Sequence, residues 1–146
     1  MTAEYSIAKR VHELYWQQDI NCASTVLKIL AERYQIELHP QFLAAAVGLH
    51  GAGGFGAQCG LVEGGLLFIG LLGQQENWDE TRIIQCCKDF ARQFSTEFSS
   101  LRCSELRPEG FSPDNPPHLC ETLTVRALEF TVGYLKEWMQ HPNFNG

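Results

Sequence analysis

Apolar residues recur at helical spacing along almost the whole chain. Ile7, Val11, Leu14 and Tyr15 fall at i, i+4, i+7 and i+8, which predicts a first amphipathic helix over residues 4–18. Asn21 reads as the N-cap of a second helix, 22–34, with its stripe at Ala23, Val26, Leu27, Leu30 and Ala31. Pro40 suits the first turn of a short third helix reaching about Val47. Glycines interrupt helicity from Gly48 to Gly56. A fourth helix, about 60–72, is apolar nearly all round and belongs at the buried centre of a bundle, with Gly73 as its stop. Gly60, Gly64 and Gly65 remove side-chain bulk from it and admit a close neighbour.

Asn77, with Glu80 three residues on, predicts the cap of a fifth helix reaching about Phe98. Its apolar face holds Ile83, Ile84, Cys87, Phe90, Ala91, Phe94 and Phe98, with Cys86 at the flank. Pro108, Pro113, Pro116 and Pro117 then exclude regular helix. A last helix covers about 121–139. No segment alternates as a strand. The expected fold is an all-α bundle of about five to six helices around a central apolar, glycine-containing helix, with residues 1–146 as a single domain.

Net charge narrows the function. At −6, with no run of Lys or Arg, the chain lacks the footprint of a nucleic-acid binder or of a protein attracted to anionic membranes. The most apolar segment, Leu61 to Leu72, contains Glu63 and is too short to span a bilayer. The first residues mix charge with apolar side chains, unlike a signal peptide. The expectation is a cytoplasmic protein.

Gly51, Gly53 and Gly56 spell G-x-G-x-x-G, but "FLAAAVGLH" before them is helical in period rather than a strand. A dinucleotide fingerprint needs that strand, and a Walker loop needs a Lys that is missing here. The glycines read instead as a tight connection that presents Cys59.

There are six cysteines, and four fall at expected helix starts: Cys22, Cys59, Cys103 and Cys120. Free N–H groups and the positive end of a helix dipole favour a thiolate there, so these four are the candidate ligands or nucleophiles. Cys87, and with it Cys86, reads as core packing.

Asn21-Cys22-Ala23, the run Cys59-Gly60-Leu61-Val62-Glu63-Gly64, "FSSLRCSEL" and Cys120 together resemble the redox-active family named for its C_GCAxxG_C_C pattern. The resemblance extends over about residues 10–138. It departs at Leu61, where the family motif has Ala. It implies a helical domain with one four-cysteine redox site.

Two chemistries suit such a set. Four thiolates can ligate one metal centre, an iron–sulfur cluster ([2Fe–2S] favoured) or zinc, converging from different helices because no C-x-x-C is present. Gly60 and Gly64 would then let the cofactor approach the backbone. Alternatively, the pairs Cys22/Cys59 and Cys103/Cys120 cycle to disulfides without metal. The cluster is the preferred reading, with electron transfer to a redox partner protein as its use. A third class is a helical interaction module, in which Trp16, Trp78 and Trp138 form a homodimer face or simply core. Glu63, His50 and His118 stand close enough in sequence to act beside the thiols, although solvation explains each of them as well.

Overall fold

The structure is a computed structural model that describes residues 6–107 and 118–141. It is all-α. Among the described residues there are eight helices: α1 (Ile7–Trp16), α2 (Cys22–Tyr34), α3 (Pro40–Ala45), α4 (Gly51–Gly54), α5 (Gly60–Gln75), α6 (Glu80–Phe98), α7 (Cys103–Leu106) and α8 (Glu121–Gln140). Strand-like pairing among these residues is confined to one antiparallel bridge, Gln58 with Arg102. The expected six helices are α1, α2, α3, α5, α6 and α8. The two added ones, α4 and α7, are four residues each and flank the cysteine region. The expected proline connection lies outside the described residues, as do the first residues of the predicted first helix.

Local chemistry accounts for the helix starts. The Asn21 side chain accepts from Ser24 N at 2.9 Å and caps α2. At α6 the cap is Asp79, whose Oδ1 accepts from Arg82 N at 2.8 Å. Asn77 instead has φ +58 and lies in the left-handed turn after α5. Asn tolerates that conformation, so a residue that resembled a start signal serves a stop. Gly73 does not end α5, which continues to Gln75. A Cβ on Gly73 would meet Ile83 Cγ1 at 2.5 Å, so this glycine serves the packing of α6 on α5.

The long helices bury one continuous core. α5 packs against α2, α6 and α8, and α1 packs against α2 and α8. Glycine sets the distance between α2 and α5. A Cβ on Gly64 would lie 2.8 Å from Ala23 O and 3.0 Å from Val26 Cβ. Phe90, Phe94, Phe98, Phe130 and Tyr134 form an aromatic cluster between α6 and α8, with ring centroids 4.6–6.4 Å apart. Ile84, expected on the buried face of α6, is 66% exposed. Trp138 is buried, Trp78 lies against it with the Arg82 guanidinium over both rings, and Trp16 is 52% exposed.

The two cysteines of α6 exchange the roles the sequence suggests. Cys86 is fully buried, and the Tyr134 hydroxyl donates to its carbonyl at 2.7 Å and reaches its Sγ at 3.7 Å. Cys87 is only half-buried. One residue is a rotation of about 100° on a helix, so a small error in phasing the stripe interchanges neighbours.

Candidate functional site

The four chain-distant cysteines each sit at a helix start. Cys22 is the first residue of α2, Cys59 the N-cap of α5, Cys103 the first residue of α7 and Cys120 the N-cap of α8. The packing of α2 on α5 brings the first two together. A Cβ on Gly60 would lie 2.2 Å from Cys22 Sγ, so the glycine after Cys59 makes the space that the Cys22 sulfur fills. Gly64, one turn on, faces the α2 backbone instead.

A backbone clasp adds the third. Cys59 N donates to Leu101 O at 2.8 Å, and Cys103 N donates to Ala57 O at 2.7 Å, on either side of the Gln58–Arg102 bridge. Ser104 N donates to Gly56 O at 3.2 Å. The glycine-rich segment supplies the curvature, its α4 being a single turn of positive φ rather than a right-handed helix. Gly51, Gly53, Gly54 and Gly56 all have positive φ, and a Cβ on Gly51 would lie 2.9 Å from Cys103 Cβ. Ala52 also adopts φ +54. The loop that spells a nucleotide motif thus folds against α7.

Cys22, Cys103 and Cys120 line one cavity of about 140 Å³, together with Tyr15, Asn21, His50, Gly54, Arg107, His118 and Leu119. Cys59 lies behind them, 5% exposed. Every pair among the four thiols is within electrostatic range: Cys22 with Cys59, Cys120 and Cys103, Cys59 with Cys103 and Cys120, and Cys120 with Cys103. All six cysteines of the chain are free thiols.

The thiols are not the acidified groups their helix starts suggest. Burial pushes Cys22 and Cys59 up to about 12, with the neighbouring thiols adding to it. Backbone N–H groups do oppose the rise, from Ala23 at Cys22 and from Leu61 and Val62 at Cys59, but desolvation outweighs them. Burial also raises Cys103 and Cys120, while the Arg107 guanidinium lowers both.

The polar rim is tied down. Val47 O accepts from Asn21 Nδ2 at 2.6 Å and from His50 Nδ1 at 3.1 Å. His118 Nε2 donates to Asp19 Oδ1 at 2.8 Å, and its ring stacks on Tyr15 with centroids 4.7 Å apart. The Tyr15 hydroxyl shares a 2.6 Å hydrogen bond with Thr124 Oγ1. Glu63 accepts from Gln58 Nε2 at 3.1 Å, beside the clasp. Sequence reasoning placed Tyr15 on the buried stripe of α1 but gave no sign that it walls a cavity. Arg107 carried no signal at all.

Four sulfur donors in this neighbourhood have the chemistry of a soft-metal site. Among the described residues, however, no group of three or more His, Cys, Asp or Glu side chains stands ready to hold a metal ion. No described helix is long and apolar enough to cross a membrane. No curated protein and no solved structure matches the chain. Residues 20–134 do match a family described as "Putative redox-active protein (C_GCAxxG_C_C)", and the match runs through all four of these cysteines. The chain belongs to the C_GCAxxG_C_C family of redox-active proteins.

Proposed function

We propose that Cys22, Cys59, Cys103 and Cys120 form one redox centre that ligates an iron–sulfur cluster, [2Fe–2S] for preference, or another thiophilic metal, and that the protein serves electron transfer to a redox partner in the cytoplasm. The observation that carries this reading is that chain-distant Cys22, Cys103 and Cys120 line one cavity, with buried Cys59 behind it and within electrostatic range of all three. Buried thiols this close oppose one another's ionisation. A cation among them reverses that balance, and four thiolates then become its natural ligands. When bound, such a group would supply one-electron chemistry that the thiols alone lack. The chain's own contribution is to hold the sulfurs: the Gly60 space seats Cys22, and the clasp at Gln58–Arg102 seats Cys59 beside Cys103. Ligation requires the sulfurs to draw closer than they stand, with release of their protons.

A metal-free dithiol cycle has one observation in its favour. Burial raises Cys103 and Cys120 as well, but Arg107 offsets part of that rise at both, on the cavity wall, where an attacking thiolate is needed. Against it, burial holds Cys22 and Cys59 protonated at neutral pH.

Anaerobic purification followed by iron, sulfide and zinc assays and an absorption spectrum separates the two. Bound iron with a visible absorption band, lost in Cys59→Ser, is the expected result. A colourless, metal-free protein that titrates as two reversible disulfides would replace the first reading with the second.

A further inference from the structure

Two features beside the thiol site have no part in holding the sulfurs. One is the ring of Tyr15, which walls the same cavity and lies within electrostatic range of Cys22, Cys120 and Cys59. The other is Trp16, the next residue, whose indole faces outward and is 52% exposed. Adjacent residues on a helix point about 100° apart, so Tyr15 and Trp16 do not face each other. His118 joins them. Its ring stacks on Tyr15 at 4.7 Å with an interplanar angle of 19°, and it meets Trp16 edge-on at 5.1 Å. Three π-systems therefore run in contact from the cavity wall to the surface.

The stack is held at each position. Tyr15 is anchored to Thr124, His118 to Asp19, and Trp16 Nε1 donates to Glu121 Oε1 at 2.5 Å. His118 has φ +58, a left-handed conformation that costs energy for a non-glycine residue. Asp19 and Glu121 place two carboxylates on the rim around Trp16, with His12 Nδ1 at 3.2 Å from Glu121, in a chain of net charge −6.

We infer that Tyr15, His118 and Trp16 form an aromatic relay that passes single electrons between the four-thiol centre and a one-electron carrier protein whose basic face docks at Trp16. This rests on the proposed redox centre and adds its exchange route. In the oxidising direction, the reduced centre loses one electron and the oxidised carrier gains one, while the three rings end as they began. Transfer to a macromolecule weakens steeply with the gap it must cross. A bulky carrier that cannot enter the cavity depends on the relay, and a small oxidant does not.

The test uses ferric cytochrome c, a basic one-electron protein, and ferricyanide, a small ion, as oxidants of the reduced, metal-loaded protein. Trp16→Ala slows oxidation by cytochrome c about tenfold, at the low end of the range over which interface variants change association. It leaves the ferricyanide rate, the iron content and the absorption spectrum unchanged. Trp16→Phe, which keeps a ring, stays close to wild type, and so does Ile84→Ala, which removes an exposed apolar side chain on α6. A Trp16→Ala rate equal to wild type with iron retained overturns the relay. So does a variant that loses iron or slows equally toward ferricyanide, because the effect then lies in the centre.

The metal-free protein supplies a second readout. Pulse oxidation by azide radical produces an indolyl radical. If the rings communicate, Tyr15 gives up one electron and its phenolic proton, the Trp16 indolyl gains both, and a phenoxyl signal grows. Tyr15→Phe and Trp16→Phe each lower that growth if the relay exists, the remainder coming from the Trp138–Tyr134 pair at 6.3 Å, and growth undiminished in either variant overturns the proposal. Failure of the underlying redox reading appears separately, as wild-type protein without iron, before any rate is measured.

Discussion

Two regions of this molecule bury cysteine, and they differ in what surrounds the sulfur. On α6, Cys86 is fully buried, with the Tyr134 hydroxyl against its carbonyl and sulfur. At the opposite kind of site, Cys22, Cys59, Cys103 and Cys120 come from four separate helices and feel one another electrostatically, and all but Cys59 border a cavity. Burial raises the thiol in both regions, to about 12 at Cys86 as at Cys22 and Cys59. Burial therefore does not distinguish a reactive site from a core cysteine. Convergence does, and so do the glycines and the backbone clasp that produce it.

The largest expected effect breaks the comparison outright. Serine at any one of positions 22, 59, 103 or 120 should remove most of the metal from anaerobically purified protein, whereas Cys87→Ser should keep a wild-type metal-to-protein ratio. Equal losses in both regions would remove the distinction. Next comes Gly60→Ala. Its methyl group meets Cys22 Sγ, and overpacking of this kind costs about 1–3 kcal/mol in a urea melt. It should also lower metal retention, whereas Cys86→Ala should cost a similar few kcal/mol of cavity energy with metal intact.

A third test sharpens the comparison by pH. An unfolded thiol ionises near 9, while folded Cys22, Cys59 and Cys86 hold their protons to about 12. The unfolded chain thus loses protons first, so stability of the metal-free protein is complete below pH 9 and falls as pH rises toward 12. Cys86→Ala should remove part of that alkaline loss and Cys22→Ser/Cys59→Ser the larger part, as read from urea midpoints. A pH-independent midpoint between 9 and 12 would contradict the burial of all three. The smallest effect is expected at Gly70 of α5, where a Cβ meets nothing within 4 Å. Gly70→Ala should stabilise by about 0.5–1 kcal/mol through helix propensity alone, in contrast to Gly60→Ala on the same helix.

Much of the fold was legible because period is a local property. The stripes of α1 and α2 name Val11, Leu14, Tyr15, Val26, Leu27 and Leu30, all of which are buried. The helix starts at the four cysteines follow from caps and breaks near them in sequence. The Gln58–Arg102 bridge is different in kind, since neither partner has a pattern that announces the other. Arg107 at the cavity and the His118 ring between Tyr15 and Trp16 depend equally on distant packing. The direction of the thiol shifts was misjudged for a related reason. The N–H donors that lower a cysteine are local and readable, whereas the desolvation that outweighs them exists only once the bundle has closed.

The backbone clasp has a consequence for assembly. It joins two segments separated by the whole of α5 and α6, so it can form only after those helices have folded back on each other, when the entropy of closing that loop has been met. A ribosome-bound chain that has emerged only as far as α5 presents two of the sulfurs without the other two. The centre is therefore a late event in maturation, and a chain truncated before residue 101 is expected to be helical yet unable to complete it.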